Sequence, residues 1–162
     1  MTMKTFNVLC LCTGNSARSI LLESILNRLG AGRVRAWSAG SHPTGKVHPE
    51  ALKLLQAKGY PTDQLRSKSW DEFAGPDAPE MDAVITVCGS AANETCPVWP
   101  GAPLRAHWGV EDPAAAAPDN QADAFATAYR LLAARAEALL AQPVEFMGRA
   151  ELDRRLTEIG KT

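Results

Sequence analysis

The chain has 162 residues, enough for one compact unit and too few for two comfortable cores. With 17 Lys+Arg against 18 Asp+Glu the formal charge is −1, so no field of one sign gathers nucleic acid or an anionic membrane surface, and any basic site must be local. A hydrophobic content of 46% with 22% charged residues excludes a disordered chain, no apolar run reaches a membrane span, and no charged-apolar-small leader pattern opens the sequence. The expectation is a cytoplasmic protein that binds neither nucleic acid nor membrane.

The run Phe6 to Cys12 is almost continuously apolar and stops at Thr-Gly-Asn, the profile of a strand buried on both faces. Beyond Ser19, the residues Leu21, Leu22, Ile25, Leu26 and Leu29 recur at helical spacing, and Gly30 and Gly32 close the segment. Val34 to Ala39 reads as a second strand. Pro49 opens a second helix carrying Ala51, Leu52, Leu54 and Leu55, which Gly59 ends. Asp71 to Pro79 is loop, with at most a helical turn at Trp70 to Phe73. Met81 to Val87 gives a third buried strand and Leu104 to Trp108 a shorter fourth. Pro113 to Pro118 reads as a surface connection. From Asp119 the residues Phe125, Ala128, Tyr129, Leu132, Ala136 and Leu139 mark a long amphipathic helix, which Pro143 separates from a last helix through Leu152 and Leu156.

This alternation predicts a single α/β domain over residues 1–162: a four-stranded parallel sheet with helices on both faces, a core of about 5–141 and a helical extension at 143–162. Ligands of open α/β sheets bind outside the carboxyl ends of the strands, so the loops after residues 12, 39, 87 and 109 should share one rim.

Four cysteines, at 10, 12, 88 and 96, are too few for a disulfide scaffold. In a reducing compartment they are packing atoms, metal ligands or catalysts. Cys12, Thr13, Gly14, Asn15, Ser16, Ala17, Arg18 and Ser19 lie between a buried strand and a helix start, where backbone N–H groups without intrahelical partners can point at one anion. Gly14 and Asn15 tolerate left-handed backbone, and Arg18 adds a planar fork of donors suited to a tetrahedral oxyanion. At a helix N-terminus beside that arginine, the Cys12 thiol is expected to have its pKa lowered, with Ser19 donating to the sulfur. A cysteine at a strand end is often mere filler. Cys, five residues, Arg and Ser in this context instead meet the demands of a thiolate nucleophile beneath a bound oxyanion.

This loop near the N-terminus resembles the signature loop shared by low-molecular-weight tyrosine phosphatases and the arsenate reductases built on the same fold, and the resemblance runs from Phe6 to about Leu140. It implies that fold, oxyanion binding by Thr13, Gly14, Asn15, Ser16, Ala17 and Arg18, and attack by Cys12. The loop alone does not choose between the two branches.

Two further cysteines follow the third strand, Cys88 and Cys96, separated by seven residues that begin with small Gly89 to Ala92. Cys88 should face the same rim as Cys12, a geometry that suits a relay of thiolates. Zinc bound by Cys88, Cys96 and a histidine is an alternative, though the paired Cys-x2-Cys spacing is absent, and two unconnected packing cysteines are another. The segment looks like the redox loop of the thioredoxin-coupled arsenate reductases. Downstream, His107 to Pro113 is similar to the reductase pattern ending in Asp-Pro. There Asp112 is the acid for a leaving oxygen, although aspartate before proline is also a common turn. Phosphatases of the sister branch carry tyrosine after this Asp-Pro, and here Ala114 to Ala117 follow.

The resemblance therefore implies arsenate reduction. Cys12 attacks arsenic, Cys88 attacks Cys12, and Cys96 then closes a Cys88–Cys96 disulfide that thioredoxin or another dithiol reduces. Phosphate or sulfate would compete for the loop, no cofactor or metal is required, and the chain is expected to be a monomer. A phosphatase on the same loop and a non-catalytic oxyanion sensor are the rivals. Some reductases of the family hold potassium beside the loop through ligands matching Asn15, Glu23 and Ser38. A further carboxylate of that site matches Lys68, whose ammonium would take the cation's place. Cys10, inside the first strand, is expected to be core; His48 belongs to a helix cap, and His42 and His107 carry no catalytic claim.

Overall fold

A computed structural model describes residues 5–88 and 103–162. Four parallel strands, β1 (Phe6–Leu11), β2 (Val34–Ala39), β3 (Ala83–Thr86) and β4 (Leu104–His107), lie in the order β2-β1-β3-β4. The α-helices of the described residues are α1 (Arg18–Leu29), α2 (Pro49–Ala57), α3 (Gln121–Leu140) and α4 (Arg149–Gly160). None is long and apolar enough to cross a membrane.

Side-chain alternation along β1 divides the interior. Val8, Cys10 and Cys12 point into a large core built with α1, α2, α3 and α4, while Leu9 and Leu11 point into a smaller one with Phe73, Met81 and Val84. Both sets are buried, which is why the strand reads as a continuous apolar run. The second face is covered, among the described residues, by the short helix Trp70–Phe73, capped by the Ser69 hydroxyl accepting from the Asp71 N–H at 3.1 Å. The strands are shorter than their apolar runs because Met81, Asp82, Val87 and Trp108 lie just outside the ladder, although Val87, Trp108 and Met81 stay buried.

The segment after α3 is bound to the sheet. Trp108 is fully buried and its indole N–H donates to the Leu156 carbonyl at 3.0 Å. Gly160 packs so tightly on the His107 carbonyl that a Cβ there would lie 2.3 Å from the oxygen. Arg33, at the start of β2, holds Glu145 in a two-pronged pair (2.6 and 2.9 Å) and also donates to the Leu140 and Gln142 carbonyls.

The strand order places the site. Sequence order reverses at β1, and Leu11 is in register with Thr86, so the loops leaving β1 and β3 emerge side by side.

Candidate active site

Residues 12–19 wrap from the end of β1 into α1, and neighbouring backbone fixes their orientation. The carbonyls of Thr13, Gly14 and Ser16 accept from the N–H groups of His42, Thr44 and His48 at 2.9, 3.0 and 2.9 Å. In a planar trans peptide the following N–H points the opposite way, so the N–H groups of Gly14, Asn15 and Ala17 are turned toward the inside of the loop. Residues 40–48 are thus a buttress that makes the cradle an anion site. Gly40 permits the close approach: a Cβ there would lie 2.4 Å from the Thr13 carbonyl oxygen and 2.7 Å from that of Cys12. The Ser67 hydroxyl adds a further bond to the Gly14 carbonyl at 3.1 Å.

Asn15 is the one described non-glycine residue with positive φ, at 45°. Gly14 does not share that conformation, contrary to expectation. A Cβ there would lie 3.3 Å from the Thr44 methyl group, a tight contact. Fully buried, Asn15 accepts from the Lys68 backbone N–H (2.9 Å) and donates to the Ser19 hydroxyl (2.8 Å). The Ser19 hydroxyl in turn shares a hydrogen bond with Cys12 Sγ, 3.1 Å away.

Cys12 and Cys88 meet at this loop. The Thr13 N–H donates to Cys88 Sγ at 3.3 Å, and the Thr13 hydroxyl lies 3.6 Å from the same sulfur. Both cysteines are buried free thiols. Their contact reverses the expectation of a lowered Cys12 pKa. A hydrogen bond with Cys88 and then burial push the Cys12 thiol well above its ordinary range, against the Ser19 hydroxyl and N–H, which pull it down. Cys96 lies outside the described residues, and with it the relay's last step and the zinc alternative.

Arg18 opens α1 and spans the site, donating to the Val110 carbonyl at 2.9 Å while its other terminal nitrogen stands 3.9 Å from Asp112 Oδ2. Asp112 is half-exposed, and its Oδ1 caps the short helix Pro113–Ala115 through the Ala114 N–H at 3.0 Å. One of its oxygens thus makes the turn while the other faces the arginine. Beyond it lies a groove of about 470 Å³ lined by Val110, Pro113, Ala115, Ala116, Ala124 and Leu131.

Beneath the loop, Glu23 and Ser38 share a short hydrogen bond. Burial pushes the Glu23 carboxyl up, opposed by that bond and by the charge of Lys68, while burial pushes the Lys68 ammonium down and Glu23 pushes it up. Lys68 Nζ donates to the Arg66 carbonyl at 2.9 Å, and the Asn15 oxygen is taken by the Lys68 N–H. Asn15 Oδ1 and Glu23 Oε1 thus each already accept a hydrogen bond, and Lys68 sets a positive charge near the Glu23 carboxyl. Cys10 is fully buried in the large core. His48 caps α2 through Nδ1, which accepts from the Glu50 N–H at 3.1 Å, and His107 Nδ1 pairs with the Thr86 hydroxyl at 2.7 Å.

Residues 7–155 match the model of the low molecular weight phosphotyrosine protein phosphatase family. The chain belongs to that family. Relatives within it include arsenate reductases. The Bacillus licheniformis arsenate reductase is 37% identical over 117 residues, covering 72% of this chain and 78% of that protein. The glutaredoxin arsenate reductase of a Synechocystis species is 30% identical over 136 residues, covering 83% and 96%. A solved arsenate reductase in its phosphate-binding state superposes with a TM-score of 0.67 at 28% identity, over 85% of this chain and 98% of that one. In this member of the family, sequence pattern had singled out the signature loop with Cys12, Cys88 and Asp112, which the fold brings to one rim. It missed the buttress at 40–48 and the Ser67 and Lys68 contacts, since each has a backbone group as a partner and leaves no spacing to read.

Proposed function

We propose that this protein reduces arsenate to arsenite by a thiol relay. The observation that carries the reading is Cys88 Sγ on the Thr13 N–H, which sets the second sulfur beside the nucleophile and inside the oxyanion loop. The phosphate-binding state of a related reductase supports a tetrahedral oxyanion as the guest of this loop.

Arsenate binds the N–H groups of residues 13–18 and the Arg18 guanidinium. Cys12 passes its thiol proton to the bound oxyanion and, with Ser19 stabilising the sulfur, attacks arsenic, while Asp112 protonates the departing oxygen, leaving a Cys12–arsenic(V) adduct. Cys88 thiolate then attacks Cys12 Sγ. The sulfur–arsenic bond breaks with its electron pair going to arsenic, arsenite departs, and a Cys12–Cys88 disulfide remains. Cys96 thiolate attacks Cys88 Sγ, freeing Cys12 and forming the Cys88–Cys96 disulfide. Thioredoxin or another dithiol, in a reducing cytoplasm, returns that pair to thiols. Phosphate and sulfate are competitors, and the monomer contains the whole relay.

The test is a free-thiol count by mass spectrometry on the fully reduced protein after arsenate, with a phosphate-treated sample beside it. Loss of two thiols with arsenate alone, as a Cys88–Cys96 link, is expected. The Cys96→Ser variant should stop with Cys12 joined to Cys88. Four intact thiols in both wild-type samples would overturn the redox reading in favour of phosphate-ester hydrolysis on the same loop.

A further inference from the structure

Arg135, in the middle of α3, is 6% exposed, and among the described residues no carboxylate side chain pairs with it. A buried guanidinium is costly and calls for a specific reason. Its contacts supply one. NH1 donates to the Gly109 carbonyl at 3.0 Å and NH2 to a main-chain oxygen of Thr162, the last residue, at 2.9 Å, while Nε is buried without a partner. Burial pushes its pKa down from the usual arginine value.

Gly109 stands three residues before Asp112, and the next carbonyl, Val110, is the one Arg18 holds at 2.9 Å. Two guanidinium groups on different helices therefore grip consecutive carbonyls of the segment leading to Asp112. Between them, the Val110 N–H donates to the Val87 carbonyl at 3.1 Å, next to Cys88. A glycine is needed at 109, because a Cβ would lie 2.6 Å from His107 Nε2, and the His107 ring is itself fixed by Thr86. Behind Arg135, Gly160 on the His107 carbonyl and Trp108 on Leu156 bind α4 to the same strand end.

We propose that Arg135 is a positioning residue for the reaction: through the Gly109 carbonyl it sets where the Asp112 loop stands relative to Arg18 and Cys12, with α4 as its abutment. The proposal rests on the reading of Asp112 as the acid in the first step. It assigns Arg135 no contact with substrate. Its signature is therefore a loss in the acid-assisted step without a loss in oxyanion binding.

The experiment measures the single-turnover rate of arsenate-dependent thiol loss, phosphate affinity and melting temperature for Arg135→Met, Arg135→Lys, Asp112→Asn and the double variant Arg135→Met/Asp112→Asn. Arg135→Met is expected to slow thiol loss about tenfold with phosphate affinity within twofold of wild type. Arg135→Lys, which keeps one donor for Gly109, should fall between them. In the Asp112→Asn background Arg135→Met should cost no further rate, because the group it positions is already gone. Multiplicative rate losses, or a lower melting temperature at full rate, would show a merely structural arginine and overturn the proposal. If Arg135→Met does not fold, Arg135→Lys decides: full rate overturns it, a severalfold loss at unchanged phosphate affinity sustains it. Full rate in Asp112→Asn alone overturns the acid assignment itself, a separate failure that takes the proposal with it.

Discussion

Replacing Cys88 by alanine should tighten oxyanion binding, although Cys88 belongs to the proposed relay. Its sulfur holds the Thr13 N–H at 3.3 Å and lies 3.6 Å from the Thr13 hydroxyl, so an oxyanion that uses this donor must first displace it. A neutral hydrogen bond has a net value of about 0.5 to 1.5 kcal/mol, and sulfur is a weak acceptor. Relief of that competition corresponds to about a 2- to 10-fold lower phosphate Kd at 1.4 kcal/mol per decade. The same substitution removes the largest contribution raising the Cys12 pKa, so Cys12 should become a thiolate at lower pH. Titration calorimetry with phosphate on the reduced proteins measures the first effect. The pH dependence of Cys12 alkylation, read by mass spectrometry, measures the second. Cys88→Ser, which keeps an acceptor, should lie closer to wild type in both. Unchanged affinity together with an unchanged alkylation profile would refute the reasoning, because it would mean that the sulfur neither occupies the cradle nor shares a proton with Cys12.

Two further expectations follow from groups away from the reacting atoms. Arsenate reduction should differ little between sodium and potassium, and Lys68→Met should lower the rate through loss of the charge beside Glu23; a severalfold potassium stimulation of the wild type would contradict the internal-cation reading. Glu145, held down to about 2 by Arg33, contributes stability that is present above the unfolded carboxylate value and lost as pH falls toward that number. Melting temperatures between pH 5 and 2 should therefore decline less steeply in Glu145→Gln than in wild type.

Much of the architecture was legible in the sequence because apolar runs and helical periods report burial directly. The Val34–Ala39 strand and the Trp70–Phe73 turn stand where the pattern puts them, and the long helix begins at Gln121 after a short turn over Pro118–Asn120. The signature loop was legible for a different reason: its chemistry requires particular side chains at fixed spacing. The ionisation of Cys12 was not, because it depends on a sulfur that arrives from β3, far along the chain. Arg135 was also hidden. On α3 it reads as one more charge on a helix, and only the fold reveals that it faces inward to the Gly109 carbonyl.

The buttress at residues 40–48 has a consequence for which changes the rim can accept. Because the grip on the signature loop runs through the N–H groups of His42, Thr44 and His48, the loop's hold is indifferent to most side chains at these positions and intolerant of one residue type. Proline at 42, 44 or 48 would delete a bond that turns a cradle donor inward. The natural prolines sit one step away, at 43 and 49, where they stiffen the segment without removing any of the three bonds. Side chains at 42 and 44 can thus change in charge and shape while the backbone bonds beneath them stay in place.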